Sequence, residues 1–134
     1  MNLNYNNAIK IFLGLLLLVT LFHLAILAKI IPYTIAWGGR LTNDYEMYVF
    51  ESISILVNVF LSWIILMKGN LVNFQFSARI VKIILWFFCV LFILNTIGNI
   101  LAKTNFEKCF ALVTGLFALL TWKILKKQEQ ATKH

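Results

Sequence analysis

Acidic charge is scarce in this chain: five Asp or Glu residues among 134, against twelve Lys or Arg. Charged residues together make up 13%, about half of what a water-soluble domain carries. The one proline is Pro32, so the long apolar runs elsewhere contain no helix-breaking imino ring. Cysteine is nearly absent. Cys89 and Cys109 form no C-x-x-C pair and fall at different depths of their runs, which argues against a disulfide and leaves too few soft ligands for a metal. Both read as small apolar fillers. There is no H-E-x-x-H, no G-x-S-x-G and no convincing nucleophile–base pair, so nothing carries a recognisable reaction and no cofactor is implied.

What the chain has is apolar length. It is 61% hydrophobic, with a mean hydropathy of +0.86. Four runs, about 11–31, 47–67, 80–101 and 107–125, approach or reach the roughly 20 residues that a helix rising about 1.5 Å per residue needs to cross a hydrocarbon core of about 30 Å. Nothing left between them is long enough for a soluble domain. The expectation is an all-α protein, one membrane domain over 1–134 built as a four-transmembrane-helix bundle. The first run is longer than the apolar core of a signal peptide and no small-x-small site follows it before Pro32, so it reads as a retained span.

The net charge of +7 is unevenly placed. With four spans, the N-terminus, the second loop and the C-terminus share a side, and it holds eight bases: Lys10, Lys68, Arg79, Lys82, Lys123, Lys126, Lys127 and Lys133. The other side holds four: Lys29, Arg40, Lys103 and Lys108. The positive-inside rule then puts both termini in the cytoplasm. Basic charge here argues topology, not nucleic acid. The C-terminal tail reads as a solvated flank in preference to a lipid-binding segment.

The connections differ in character. Residues 1–7 form a short polar lead rich in asparagine, and Asn73-Phe74-Gln75-Phe76 in the second loop suits a membrane interface. Thr104-Asn105-Phe106-Glu107 reads as a capping box, with Thr104 as N-cap, which favours a structural role for Glu107. The first loop, 32–46, is the longest. Pro32 is expected to end the first helix, Trp37-Gly38-Gly39-Arg40 sets a flexible pair between an indole and a guanidinium, and Asn43 or Asp44 caps the second helix. Two readings stand for it. It is an interfacial tryptophan, a glycine turn and a cap, or it is a lid whose Arg40 holds an acidic group. The two hairpins show no internal repeat, so an inverted-repeat transporter gains no support.

Polar groups inside the runs are few, and most share a depth. The second helix carries Glu51, Ser54, Asn58 and Ser62 at offsets 0, 3, 7 and 11, a single helical face. The third carries Asn95 and Asn99 four apart, the first carries Thr20 and His23, and the fourth carries Thr114, Gly115 and Thr121. Ser54, Ser62, Thr114, Gly115 and Thr121 are the small, weakly polar residues that glue membrane helices together. A carboxylate within a span is another matter: it needs a cation or donors, and His23, Arg40 and Lys103 are the candidates for Glu51. Glu51, Asn95, Asn99 and His23 belong to the outer half, with Asn58 somewhat deeper, and Asn95 and Asn99 are expected to face the bundle interior together with Glu51. The alternative is that the amides only cross-link helices.

The segments Ala36-Trp37-Gly38-Gly39-Arg40-Leu41, Met47-Tyr48-Val49-Phe50-Glu51-Ser52 and the stretch from Leu94 to Thr104, beginning Leu94-Asn95-Thr96-Ile97-Gly98-Asn99, together resemble a group of small uncharacterised four-helix bacterial integral membrane proteins. The likeness runs from Pro32 through Lys123. It implies four spans in a bacterial cytoplasmic membrane, and carries no activity.

Three functional expectations follow. The first is an outward-facing polar pocket that binds, senses or moves a small or amphiphilic ligand, formed by Glu51, Asn95, Asn99, His23 and Asn58 with Trp37 and Arg40 at its mouth. The second is an accessory subunit packed against a larger membrane partner or a second copy. The third, an intramembrane enzyme acting on lipid, rests only on a Glu51–His23 couple, and two residues are not a mechanism.

Overall fold

A computed structural model of the chain describes residues 4–35, 41–102 and 104–132, with side chains to Lys127. Four long helices occur in the order α1 (Tyr5–Leu27), α2 (Asp44–Lys68), α3 (Ala78–Ile100) and α4 (Asn105–Thr132), with one 3-10 turn at Tyr33–Ile35 after α1. All four are long and apolar enough to cross a membrane. The described part is all-helical, and the protein is a candidate multi-pass membrane protein.

Local chemistry sets the helix ends. The Glu46 N–H donates to Asn43 Oδ1 at 2.8 Å, making Asn43 and not Asp44 the cap of α2. Asp44 instead pairs with Lys29 across the first loop at 2.6 Å. Ser77 caps α3 by accepting from the Ile80 N–H. At α4 the Glu107 N–H donates to Thr104 Oγ1 at 3.2 Å, as the capping box requires, and the Thr104 hydroxyl donates back to Glu107 Oε2 at 2.8 Å. Glu107 is 6% exposed, tucked under the start of its helix.

Two ends depart from expectation. Residues 5–7, read as lead, are the first turn of α1. The helix then stops at Leu27, well before Pro32. Lys29 takes a left-handed φ of 63°, and its N–H and that of Ile30 turn back to the carbonyls of Ile26 and Ala25, a Schellman closure. Asn70 (φ 57°) closes α2 in the same way, through Leu71 to Leu66 and its own N–H to Met67. The preceding Gly69 has a steric reason to be glycine: a Cβ there would come within 2.9 Å of the Ile9 side chain, where α1 crosses the end of α2.

Both termini and the α2–α3 connection lie at one end, here the terminal end; the first and third connections lie at the other, the loop end. Tyr5 ties the terminal end together, its hydroxyl donating to the Lys68 carbonyl at 3.0 Å while the Lys127 ammonium sits 5.3 Å from its ring centre. Packing is closest between α3 and α4, then α1 and α2, and α1 touches α4, so α1 and α4 form the middle of the bundle. One core draws on all four helices: Ala8, Ile9, Phe12 and Leu16; Leu61, Ile64, Ile65 and Met67; Val81, Leu85 and Phe88; Phe117, Leu120, Ile124 and Leu125. All but Leu16 and Phe117, which stand near the middle of theirs, belong to the half of their helix nearer the terminal end. Phe12, Phe92 and Phe117 close the top of this core, with ring centres 5.0–6.4 Å apart.

Candidate functional site

Toward the loop end α1, α2 and α3 bury far less, while α4 still buries Glu107, Ala111 and Thr114. Between Leu16 and Ile26 of α1, between Glu51 and Leu61 of α2, and beyond Cys89 in α3, no residue is buried. The stripes that face inward nonetheless continue through these stretches. On α2 the stripe that buries Leu61 and Ile65 runs on through Asn58 and Ser54, both half-buried, to Glu51. On α3 the stripe that buries Phe88 reaches Asn95 one heptad on, which is exposed, and Asn99, which is half-buried. On α1 it passes Val19 and Thr20, half-buried, to His23. The inward face therefore turns polar where the bundle stops being tightly filled.

At the head of this region lies a titratable pair. Glu51 is completely buried, and its Oε2 lies 2.5 Å from His23 Nδ1. The histidine side chain is 16% exposed, so the couple has one enclosed member and one that borders the open region. The two positions converge because α1 and α2 run antiparallel, with His23 in the last turns of one and Glu51 in the early turns of the other. A full carboxylate in such a place is costly without a cation or donors, and the imidazole is the partner that α1 provides. A smaller apolar cluster of Ile26, Leu41 and Met47, flanked by Phe22, Leu27, Ile31 and Tyr33, roofs the pair. Phe22 in turn stacks on Phe106 and meets Phe110, pinning α1 to α4 beside it. On the loop side the Lys29–Asp44 hydrogen bond and the attraction between the two charges push the Lys29 ammonium above its ordinary value. That contact is therefore intact below the ordinary lysine range and fails only in strong alkali, as pH rises through the raised value.

Of the sequence candidates, His23 and Glu51 are brought into contact. Asn58 lies two helical turns deeper on the Glu51 face, with its Nδ2 buried and without a hydrogen-bond partner among the described residues. An amide donor buried in this way is a group that ordinarily takes a partner. Asn99, in the last turn of α3, is half-buried. Asn95, expected inside with Glu51, is exposed, because α3 turns Thr96 and not Asn95 toward α4 at that level. Trp37, Arg40 and Lys103 lie outside the described residues.

The helix glue also differs from expectation. Ser54 and Ser62 return their hydroxyls to the carbonyls of Phe50 and Asn58 in their own helix, and Thr121 does the same to Phe117. Thr114 alone of the expected set bonds across helices, and its partner is Thr96, at 2.9 Å. The Thr96 side chain also lies close to Gly115, 3.7 Å from where a Cβ would stand. Thr96 was missed between two asparagines; its signal is a β-branched hydroxyl on a helix packed against a Thr-Gly pair.

No family model matches the chain, and neither the curated proteins nor the solved structures searched contain a match to it.

Proposed function

We propose that this is a four-span protein of a bacterial cytoplasmic membrane, both termini inside, that binds a small or amphiphilic ligand in the polar region beneath its outer loops. The Glu51–His23 couple anchors the ligand, and Asn58 and Asn99 supply amide groups. One observation carries the reading: the inward stripes of α1 and α2 become polar and half-open together, at the level of a buried carboxylate. A helix bundle needing only stability would fill that level with apolar side chains. The site suits a ligand with a cationic or hydrogen-bond-donating head and an apolar body, since Glu51 and the amide oxygens accept and the walls are apolar. Recognition of this kind serves sensing or movement across the membrane equally well.

The test is a thermal-shift panel of small amphiphilic amines on the purified protein. Some members should stabilise the parent, and Glu51→Gln, nearly isosteric and uncharged, should lose that response while staying monodisperse. A Glu51→Gln protein that responds like the parent sinks the assignment. Orientation is tested by single cysteines at Thr42 and Gln75, both exposed residues: an impermeant reagent should label position 42 in intact cells and not position 75.

A second reading has its own observation. Asn95 is exposed on α3 beside Gly98, where a Cβ would meet nothing within 4 Å. A small residue and an amide side by side on an open face suit the approach of another membrane helix. If the protein is an accessory subunit, that helix fills the gap, and the chain should co-purify with a partner and lose stability without it.

A further inference from the structure

A recess lies at the terminal end of the bundle, away from the Glu51 region and independent of it. It is a cleft of about 410 Å³ lined by Tyr5, Met67, Lys68, Asn70, Gln75, Phe76, Ala78, Val81 and Lys127. Its composition is amphiphilic: Met67, Val81 and Phe76 form an apolar wall, while Lys68, Lys127, Asn70 and Gln75 bring cations and amides to the rim. Tyr5 holds the rim in shape. Its hydroxyl bonds the Lys68 backbone carbonyl and its ring receives the Lys127 ammonium, so one aromatic side chain holds the end of α2 and a cation of α4 together.

Charge around the cleft is of one sign. Lys68 is half-buried and has no carboxylate partner among the described residues; the two ion pairs found there, His23–Glu51 and Lys29–Asp44, both sit at the loop end. Of the five acidic residues in the chain, only Glu129 belongs to the terminal end. The cleft also borders the first residue of α3, where the amino end of a long helix adds partial positive charge. A half-buried ammonium, a second ammonium on an aromatic ring and two amides beside an apolar wall match an anionic phosphate attached to a hydrocarbon.

We propose that this cleft binds the phosphodiester headgroup of an anionic membrane lipid, with Lys68 and Lys127 on the phosphate and the first acyl carbons against Met67, Phe76 and Val81. Its position at the end of four spans places it at headgroup level. The more basic side of a membrane protein is also the side that faces anionic lipid in the cytoplasmic leaflet.

The experiment follows thermal unfolding of the full chain in neutral detergent as phosphatidylglycerol is titrated in, with inorganic phosphate as a parallel soluble probe. Phosphatidylglycerol should stabilise the parent saturably and inorganic phosphate should not. Lys68→Gln and Lys127→Gln should each need about fivefold more lipid for the same shift, the weight of one lysine at an anionic surface. Lys68→Arg and Lys10→Gln should respond like the parent, the first because charge is kept and the second because Lys10 lies at the same end but off the cleft. If Lys68→Gln does not fold, Lys127→Gln decides, since Lys127 is exposed on α4. An equal response in all variants would show diffuse charge attraction and overturn the site. Equal stabilisation by inorganic phosphate would overturn the lipid as the source of the bound group.

Discussion

The two ends of this bundle are built on different principles. At the terminal end four helices share one apolar core closed by three phenylalanine rings, and the polar groups are cations at the rim. At the loop end a small apolar cluster roofs a buried carboxylate, polar side chains line the inward faces, and four of the five acids are found there. In lipid the hydrophobic effect does not drive helices together, so packing and a few hydrogen bonds must. The terminal end uses that packing fully. The loop end uses less of it where the stripes through Asn58 and Thr20 pass.

The comparison can be broken most forcefully in the core. Phe12 is fully buried between Phe92 and Phe117, and Phe12→Ala should cost about 3 kcal/mol or more, read as unfolding in denaturing detergent. Truncation of a half-buried residue at the edge of that core, Val19→Ala, should cost less, about 1 kcal/mol, since fewer side chains surround it. Equal losses at the two sites would mean that the loop half is as tightly filled as the core.

Next comes the cross-helix hydrogen bond. Thr114→Val should cost about 0.6–2 kcal/mol, because it removes the bond to Thr96 while keeping the shape. Thr121→Val, whose hydroxyl bonds only its own helix, should lose less. The difference between the two valine variants measures what a true interhelix bond contributes here.

The caps give the smallest effects and sharpen the loop end alone. Asn43→Ala should destabilise by about 1 kcal/mol through loss of the Glu46 N–H partner. Glu107→Gln should change stability little, since a glutamine oxygen can still accept from the Thr104 hydroxyl. A large effect from Glu107→Gln would transfer to this buried carboxylate the importance given to Glu51.

Much of the architecture was legible. Four apolar runs of spanning length specify four helices, and short polar side chains at the first turns of α2 and α4 announce their caps. The meeting of His23 with Glu51 was within reach as one of three pairings, because span order alone sets the two at equal depth. What escaped was governed by contacts that periodicity does not encode. The end of α1 is set by a left-handed lysine, a residue that carries no such preference, while the conspicuous Pro32 lies beyond it. Asn95 stands one heptad from buried Phe88 and is still exposed, because it is Thr96, the next residue round the helix, that α3 turns to α4 at that level. The serines of α2 looked like interhelix glue by spacing, yet each satisfies itself on the preceding turn.

The central claim is that the Glu51–His23 couple exists for a ligand and not for the fold. The most direct measurement replaces both members at once, His23→Leu with Glu51→Leu, and compares unfolding and amine response with the parent and with Glu51→Leu alone. Removing one partner of a buried pair strands the other and should cost about 3–5 kcal/mol, whereas replacing both with packed apolar side chains is often neutral or stabilising. The account predicts a double variant as stable as the parent, or more so, with no ligand-induced shift. A double variant as unstable as Glu51→Leu alone, or one that still responds to the amines, would contradict it.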